Sequence, residues 1–371
     1  MNARIGRRAL LLATAGGVLA ACGAKEKDVT GTLSPLPAEP DRPVVEAAVL
    51  KPVSYWAGVF LRGWNYQAEV GLPMTRSGDS WDHYNVSYTL DSLVAMFRAT
   101  GERRYLDRAL QFTENVVGTA KAVRGGYLGW TSAQEGNTEV PLYESYFWRY
   151  GSALLVAMKE KDLADYRTRY NRLLSFTEKH VFEKWYSRGP DETLYRERTH
   201  MTAHWGLIAL NLAQVTGDAT RRQRYRTVVA DVDRHVPGYG GGLKQQMRRN
   251  PVESTAYFWS DVWGSGQRPG QDVSHGNGVM AYVVEARDRG TTWTKADMAA
   301  FARLLTRVVW PGGTTYRAYV DGTGTDNGWF SDGFVKLGRF DPGVQQRLES
   351  HRVVNDQFAA NMALNARILR P

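Results

Sequence analysis

The densest run of reactive side chains in the sequence is Asp272-Val273-Ser274-His275-Gly276-Asn277. His275 stands three residues after Asp272 at what reads as a helix start, where a carboxylate caps exposed backbone N–H groups and can also orient the imidazole. An imidazole held in this way is an acid or a base near neutral pH. Comparable clusters recur along the chain: Trp81-Asp82-His83-Tyr84-Asn85; Trp130 followed by Glu135, Glu144, Tyr146 and Trp148; His200, His204 and Trp205; and Tyr257, Trp259, Asp261 and Trp263. Trp and Tyr offer flat apolar faces with a polar edge, a surface that packs against a sugar ring and hydrogen-bonds its hydroxyls. The same aromatics also suit the joints between packed helices.

Arranged around one sugar, these residues support two reactions. β-Elimination from a uronate removes the C5 proton and needs a base and an acid (His or Tyr) plus a neutraliser of the carboxylate (Asn, His or Arg). Asn85, His204, Tyr257 and His275 are the candidates, with Asp272 orienting His275. Hydrolysis needs two carboxylates flanking the bond, about 5 to 10 Å apart, and Asp82, Glu144, Asp261 or Asp272 could supply them. The supply of His, Asn and Tyr and the basic balance of the chain favour a lyase acting on an acidic glycan. Hydrolysis is the alternative, and a non-catalytic glycan-binding role the third reading. Trp81, Asp82, His83, Tyr84, Trp130, Glu144, Trp148, His200, Trp205, Trp259 and Trp263 are the expected sugar contacts.

No cofactor or metal is expected. His200 and His204 are four apart on one helix face, but no third ligand stands at a convincing distance and zinc needs at least three. The run Asp321 to Asn327 is rich in oxygen-bearing side chains yet lacks the EF-hand register and its closing Glu, so it reads as a turn. Gly238 to Gly242 lacks the Lys-Ser/Thr of a phosphate loop.

The elements that must position these residues are helical. Apolar spacings of three and four recur in nearly every segment, and strand-like alternation is rare. Two passages share a unit: Ala99-Thr100-Gly101-Glu102 and Val215-Thr216-Gly217-Asp218 each end one helix at Thr-Gly and open another at an acid. The first helix of each unit is small and apolar nearly all round; the second is amphipathic. The spacing predicts inner-outer pairs at 85–100 with 103–117, 144–159 with 163–179, 200–215 with 222–236, and 274–287 with 295–309. The helices at 43–60 and 354–369 are left to pair with each other and close a ring. That makes about five hairpins, with a sixth hidden in the irregular stretches.

This inner helix, tight turn, outer helix order, with aromatic loops always before an inner helix, resembles the all-α α/α toroid of six-hairpin glycosidases, polysaccharide lyases and uronate epimerases. The resemblance spans about residues 43 to 369 and is architectural, with no motif of one catalytic family. It implies a carbohydrate-active protein whose clusters converge on the rim where the inner helices start.

The N-terminus reads as an address. Arg4, Arg7 and Arg8 precede an apolar run too short to span a bilayer. Leu19-Ala20-Ala21-Cys22-Gly23 resembles a bacterial lipobox, implying a signal peptide over 1–21, lipidation at Cys22, a Pro-rich tether over 22–42 and a toroid domain over 43–371. An exported protein anchored to the cell envelope through its lipid is the expectation, and Arg7-Arg8 also suits a twin-arginine signal. Of 371 residues, 43% are hydrophobic and 12% aromatic, enough for a sizeable core. Lys plus Arg number 47 against 38 acids, and loss of 1–21 would leave 44. That modest surplus suits polyanions, but no basic helix is interleaved with stacking aromatics, so nucleic acid is not an expected partner. Cys22 is the only cysteine, which excludes a disulfide framework.

Overall fold

The computed structural model describes residues 49–189, 193–352 and 354–370. The signal-like segment, Cys22 and the tether at 22–42 lie outside the described residues. Among the described residues, six inner elements surround one axis: helices Ser80–Thr100, Pro141–Lys161, Thr199–Val215 and Val273–Asp288, the 3-10 helix Phe334–Phe340, and helix Asp356–Leu369. Each packs on the next and the last packs on the first, so the ring closes. The protein is an α/α toroid.

Outer elements accompany them. Arg103–Gly118 buries Tyr105, Leu106, Ala109, Leu110, Phe112, Thr113 and Val116, the three-and-four spacing of a one-faced helix. Arg167–Phe176, Ala219–Arg234, Lys295–Arg303 and Pro342–Leu348 follow their own inner elements. Val53–Leu61 lies against the last inner helix, with the Trp56 and Phe358 rings 6.2 Å apart, and completes the ring as its spacing predicts. The hidden sixth hairpin is Phe334–Phe340 with Pro342–Leu348.

The boundaries follow from capping. Asp79 accepts a hydrogen bond from the Trp81 amide at 2.8 Å, so the first inner helix begins at Ser80, earlier than position 85, and ends at Gly101 in the left-handed region with φ 75°. Pro141, which needs no N–H partner, opens the second inner helix ahead of position 144. Trp81, Tyr84 and Tyr88 therefore sit at helical spacing on one face and not in a loop. The 3-10 helix is nucleated by Asn277, whose Oδ1 accepts from the backbone N–H of Gly333 at 2.9 Å and of Phe334 at 3.3 Å. Gly333 is required there because any Cβ would collide with the backbone of the fourth inner helix.

The axis is filled with paired polar groups. Asp91 accepts from Lys336 Nζ (2.9 Å), Gln357 Nε2 (2.9 Å) and Asn361 Nδ2 (3.0 Å), joining three inner elements. Arg149 donates to Asp332 at 2.6 Å, and the Tyr150 hydroxyl bonds the other Asp332 oxygen. At the rim where inner helices end, Arg98 lies 3.6 Å from Glu160 and 3.7 Å from Glu285, Arg289 bonds Glu160, and Arg339 bonds Glu285 and Asp288. These pairs link the second and fourth inner helices across the base, and the cations complement the helix C-termini.

Candidate functional site

At the opposite rim, where the inner helices start, a cavity of about 40 Å³ lies among Tyr84, Tyr88, Tyr146, Ser274, His275, Asn277, Trp329 and Asp332. That volume holds a water molecule and is far too small for a sugar ring. Trp81 and Tyr84, one turn apart, stack at 5.0 Å with 7° between planes, and Tyr84 meets Tyr146 at 4.3 Å. Trp329, 41% exposed, is the open aromatic beside the cavity.

The Asp272–His275 pair stands at the edge of this cavity. Asp272 caps its helix through the His275 backbone N–H at 3.0 Å, accepts from the His275 Nδ1–H at 2.8 Å, and takes the Ser274 hydroxyl at 2.5 Å. Burial opposes the charge on Asp272, but these donors outweigh it and hold its carboxyl well below the usual range. Burial pulls His275 down while the Asp272 bond and charge pull harder upward, so its pKa lies above the ordinary histidine value. With Nδ1 committed to Asp272, Nε2 is the atom left for chemistry.

A second pair lies behind the first. His200 Nδ1 is 3.0 Å from Asp261, which also receives Arg198 at 3.0 Å, and the His200 ring sits 4.5 Å from that of His275. His204 lies deeper, its ring 4.3 Å from Tyr146 and its Nδ1 3.2 Å from Ser145 Oγ. Burial lowers the pKa of both His200 and His204, and nearby cationic groups lower that of His204 further, so both rings are neutral at physiological pH. Tyr88 and Tyr146 are pushed well above the ordinary tyrosine value by burial and by neighbouring phenols, which leaves them as proton-bearing hydroxyls. Burial, with Asp91 nearby, raises Asp332 despite Arg149.

Several residues expected at a cleft are core residues. Glu144 is buried against Lys184 (2.7 Å) and the Trp185 indole (3.0 Å) on the side facing the outer helices, so it is not available as a catalytic carboxylate. Tyr257 donates to Asp297 at 3.0 Å and packs on Phe301, away from the axis, and is not an elimination acid or base. His83 packs on Trp130 and Phe147, and burial lowers its pKa to about 3. Trp130, Trp148, Trp205 and Trp259 are buried hairpin-joint residues, and Trp263 is buried with its indole N–H on the Arg196 carbonyl. His200 and His204 lie beneath the rim and line no open surface. Asn85 spends its amide on the Trp81 carbonyl and does not line the cavity, and Asp82 is half-buried outside it. Among the described residues no group of three or more His, Cys, Asp or Glu could hold a metal ion. Asp321 binds Thr323 within its turn and Arg268 from the loop before the fourth inner helix.

Tyr88, Arg149, Trp329 and Asp332 line or underlie the cavity without standing out in the sequence. Tyr88 carries a signal, the four-residue step from Tyr84. The other three become neighbours only when the ring closes.

No protein-family model and no curated protein matches the chain in sequence. Among solved structures it is similar to the GH76A α-1,6-mannanase of Salegentibacter sp. HEL1_6. An inactive variant of that enzyme in complex with α-1,6-mannotetrose shares 12% identity, with 77% of this chain and 89% of that one covered and a TM-score of 0.43. The structure of the mannanase itself gives 13%, 76%, 88% and 0.41. What makes this chain a toroid is its own helix packing.

Proposed function

We propose that the protein is a glycoside hydrolase acting on a neutral oligo- or polysaccharide laid across the Trp329 rim. The observation that carries the reading is the half-exposed Asp272–His275 pair beside a water-sized cavity that Asp332 also lines. A histidine held protonated is a proton donor, which is what a departing glycosidic oxygen requires. Asp332, with a raised pKa, is a competent acceptor for the proton of a water seated in that cavity. In this scheme the leaving oxygen takes the His275 proton as the C–O bond breaks, water adds to the anomeric carbon, and its released proton passes to Asp332. A proton donor and a proton acceptor acting on one bond through a single water is the scheme of an inverting hydrolase, with histidine in place of one carboxylic acid.

Two observations weigh against elimination from a uronate. Among the described residues the cavity lining contains no Lys or Arg, and the cations beneath it, Arg149 and Lys336, are paired with Asp332 and Asp91. Asn277 lines the cavity, but its amide is spent on backbone groups of its own helix and of the Trp329 loop and is not free to neutralise a carboxylate. A raised His275 is also a poor base for carbon acid chemistry.

The test is a panel of neutral polysaccharides, α-1,6-mannan among them, beside uronate polymers. Release of reducing ends from a neutral glycan without an unsaturated product is expected, with the product's anomeric configuration inverted by NMR. Unsaturated product from a uronate would reverse the assignment.

Export with a lipid anchor at Cys22 is proposed from the sequence alone. Cys22→Ser is expected to move the protein from the membrane to the soluble fraction, because the acyl chains supply the membrane affinity. Unchanged fractionation would remove the anchor.

A further inference from the structure

The proposed reaction uses His275 and Asp272 and leaves a second carboxylate–imidazole pair unexplained. His200 is almost fully enclosed, with 4% of its side chain exposed, and its ring lies 4.5 Å from the His275 ring, tilted by 33°. Asp261 is held from several directions. Its backbone carbonyl accepts the Thr199 N–H at 2.9 Å, and Gln246 Nε2 bonds the flanking carbonyls of Ser260 and Val262. The Asp261 carboxylate is ionised, its pKa lowered by His200 and Arg198 against burial, so His200 Nδ1 must carry the hydrogen between them. Nε2 of His200 is then a bare acceptor with no hydrogen-bond partner among the described residues.

We propose that His200 and Asp261 are a positioning pair for His275: Asp261 fixes the His200 ring through Nδ1, and that ring is the surface against which the His275 imidazole rests. The proposal rests on the hydrolase reading for its purpose but not for its test. Two imidazolium rings at this separation would repel, so a neutral lower ring is a condition for a charged upper one. The groups facing His275 come from several elements. Asp272 and Ser274 share its helix, while His200, His204 and Arg198 come from the third inner helix and its cap. Asp261 comes from the loop between, Tyr84, Tyr88 and Tyr146 from the first two inner helices, and Asp332 from the Trp329 loop. Of these, Asp261 and Arg198 are the charged pair whose removal should act in opposite directions: Asp261 raises the His275 pKa and Arg198 lowers it.

The experiment is an NMR titration of the imidazole resonances, with His275 assigned by the signal missing in His275→Gln. Asp261→Asn is expected to lower the His275 midpoint, and Arg198→Gln to raise it, each by about half a pH unit or more. The alkaline limb of the kcat profile should move with it in each variant. Arg198 is 42% exposed, so its variant tests the charge even where Asp261→Asn fails to fold. His200→Phe keeps a ring but not the tether, and a several-fold fall in kcat with KM unchanged is expected. Shifts in the same direction, or none, would overturn the proposal even if both variants lose thermal stability, because a merely structural pair lowers the melting temperature without moving His275. The midpoints are read on the protein without substrate, so an inactive protein with opposite shifts would reject the hydrolase reading and keep this one.

Discussion

Replacing Asp91 with alanine is expected to cost about 3 to 5 kcal/mol of stability, the usual loss when one partner of a buried ion pair is removed. Asp91 sits between the first inner helix, the 3-10 helix and the last inner helix, and its oxygens take Lys336, Gln357 and Asn361. Without it the Lys336 ammonium, 5% exposed, stays in the axis without its hydrogen-bonded counter-charge, and two amides lose their acceptor. Chemical denaturation followed by far-UV dichroism measures the difference. The double change Asp91→Leu with Lys336→Met should recover much of the loss, because apolar residues of similar volume remove both the charge and its desolvation. If Asp91→Ala unfolds at the denaturant midpoint of the parent, the axis network contributes nothing and the ring is held by apolar packing alone.

His275→Ala is expected to lower kcat on the glycan identified by the panel by about a hundredfold or more, the size of a lost general acid, while the fold persists. His275 is 38% exposed and makes its bonds within its own helix start, so the scaffold does not depend on it. The same variant should change how stability depends on pH. Asp272 has a depressed folded pKa, so its contribution is present above the unfolded value near ~4 and is lost as pH falls through the folded one. His275 has a raised folded pKa, so its contribution is full below the unfolded value near ~6.5 and is lost as pH rises through the folded one. The pair therefore stabilises most between about pH 4 and 6.5, and His275→Ala should lower stability in that window and remove the decline above it. Full activity of the variant would remove His275 from the chemistry and return attention to Asp82, a carboxylate near the same rim that is neither buried in the core nor engaged as a helix cap.

The toroid was legible because helix hairpins are local: Thr-Gly stops, acidic starts and apolar spacing each act within a few residues. The hidden sixth hairpin was not, since a seven-residue 3-10 helix such as Phe334–Phe340 carries too few turns for a period to appear, and its cap, Asn277, lies 56 residues upstream of Gly333. Asp272 and His275 were legible for the same local reason, a cap and its i+3 neighbour. The aromatic clusters misled because Trp and Tyr near an inner-helix start serve both joint and cleft, and only the direction in which the side chain leaves the helix separates Trp148, packed on Trp130 and Phe176, from Tyr146, packed on Tyr84 and His204. Asp332 and Arg149 lie 183 residues apart and meet only across the closed ring.

The charged clasp at the far rim makes the toroid a cup with one mouth. A polymer cannot thread through it, and since the cavity at the mouth holds only a water, it can only lie over the opening. On the proposed hydrolase reading, each product leaves by the way its substrate came, past Trp329, so a chain held there has to let go or slide sideways before the next bond is presented. Slow turnover on long chains and faster turnover on short ones is the kinetic signature such a dead-ended vessel would leave.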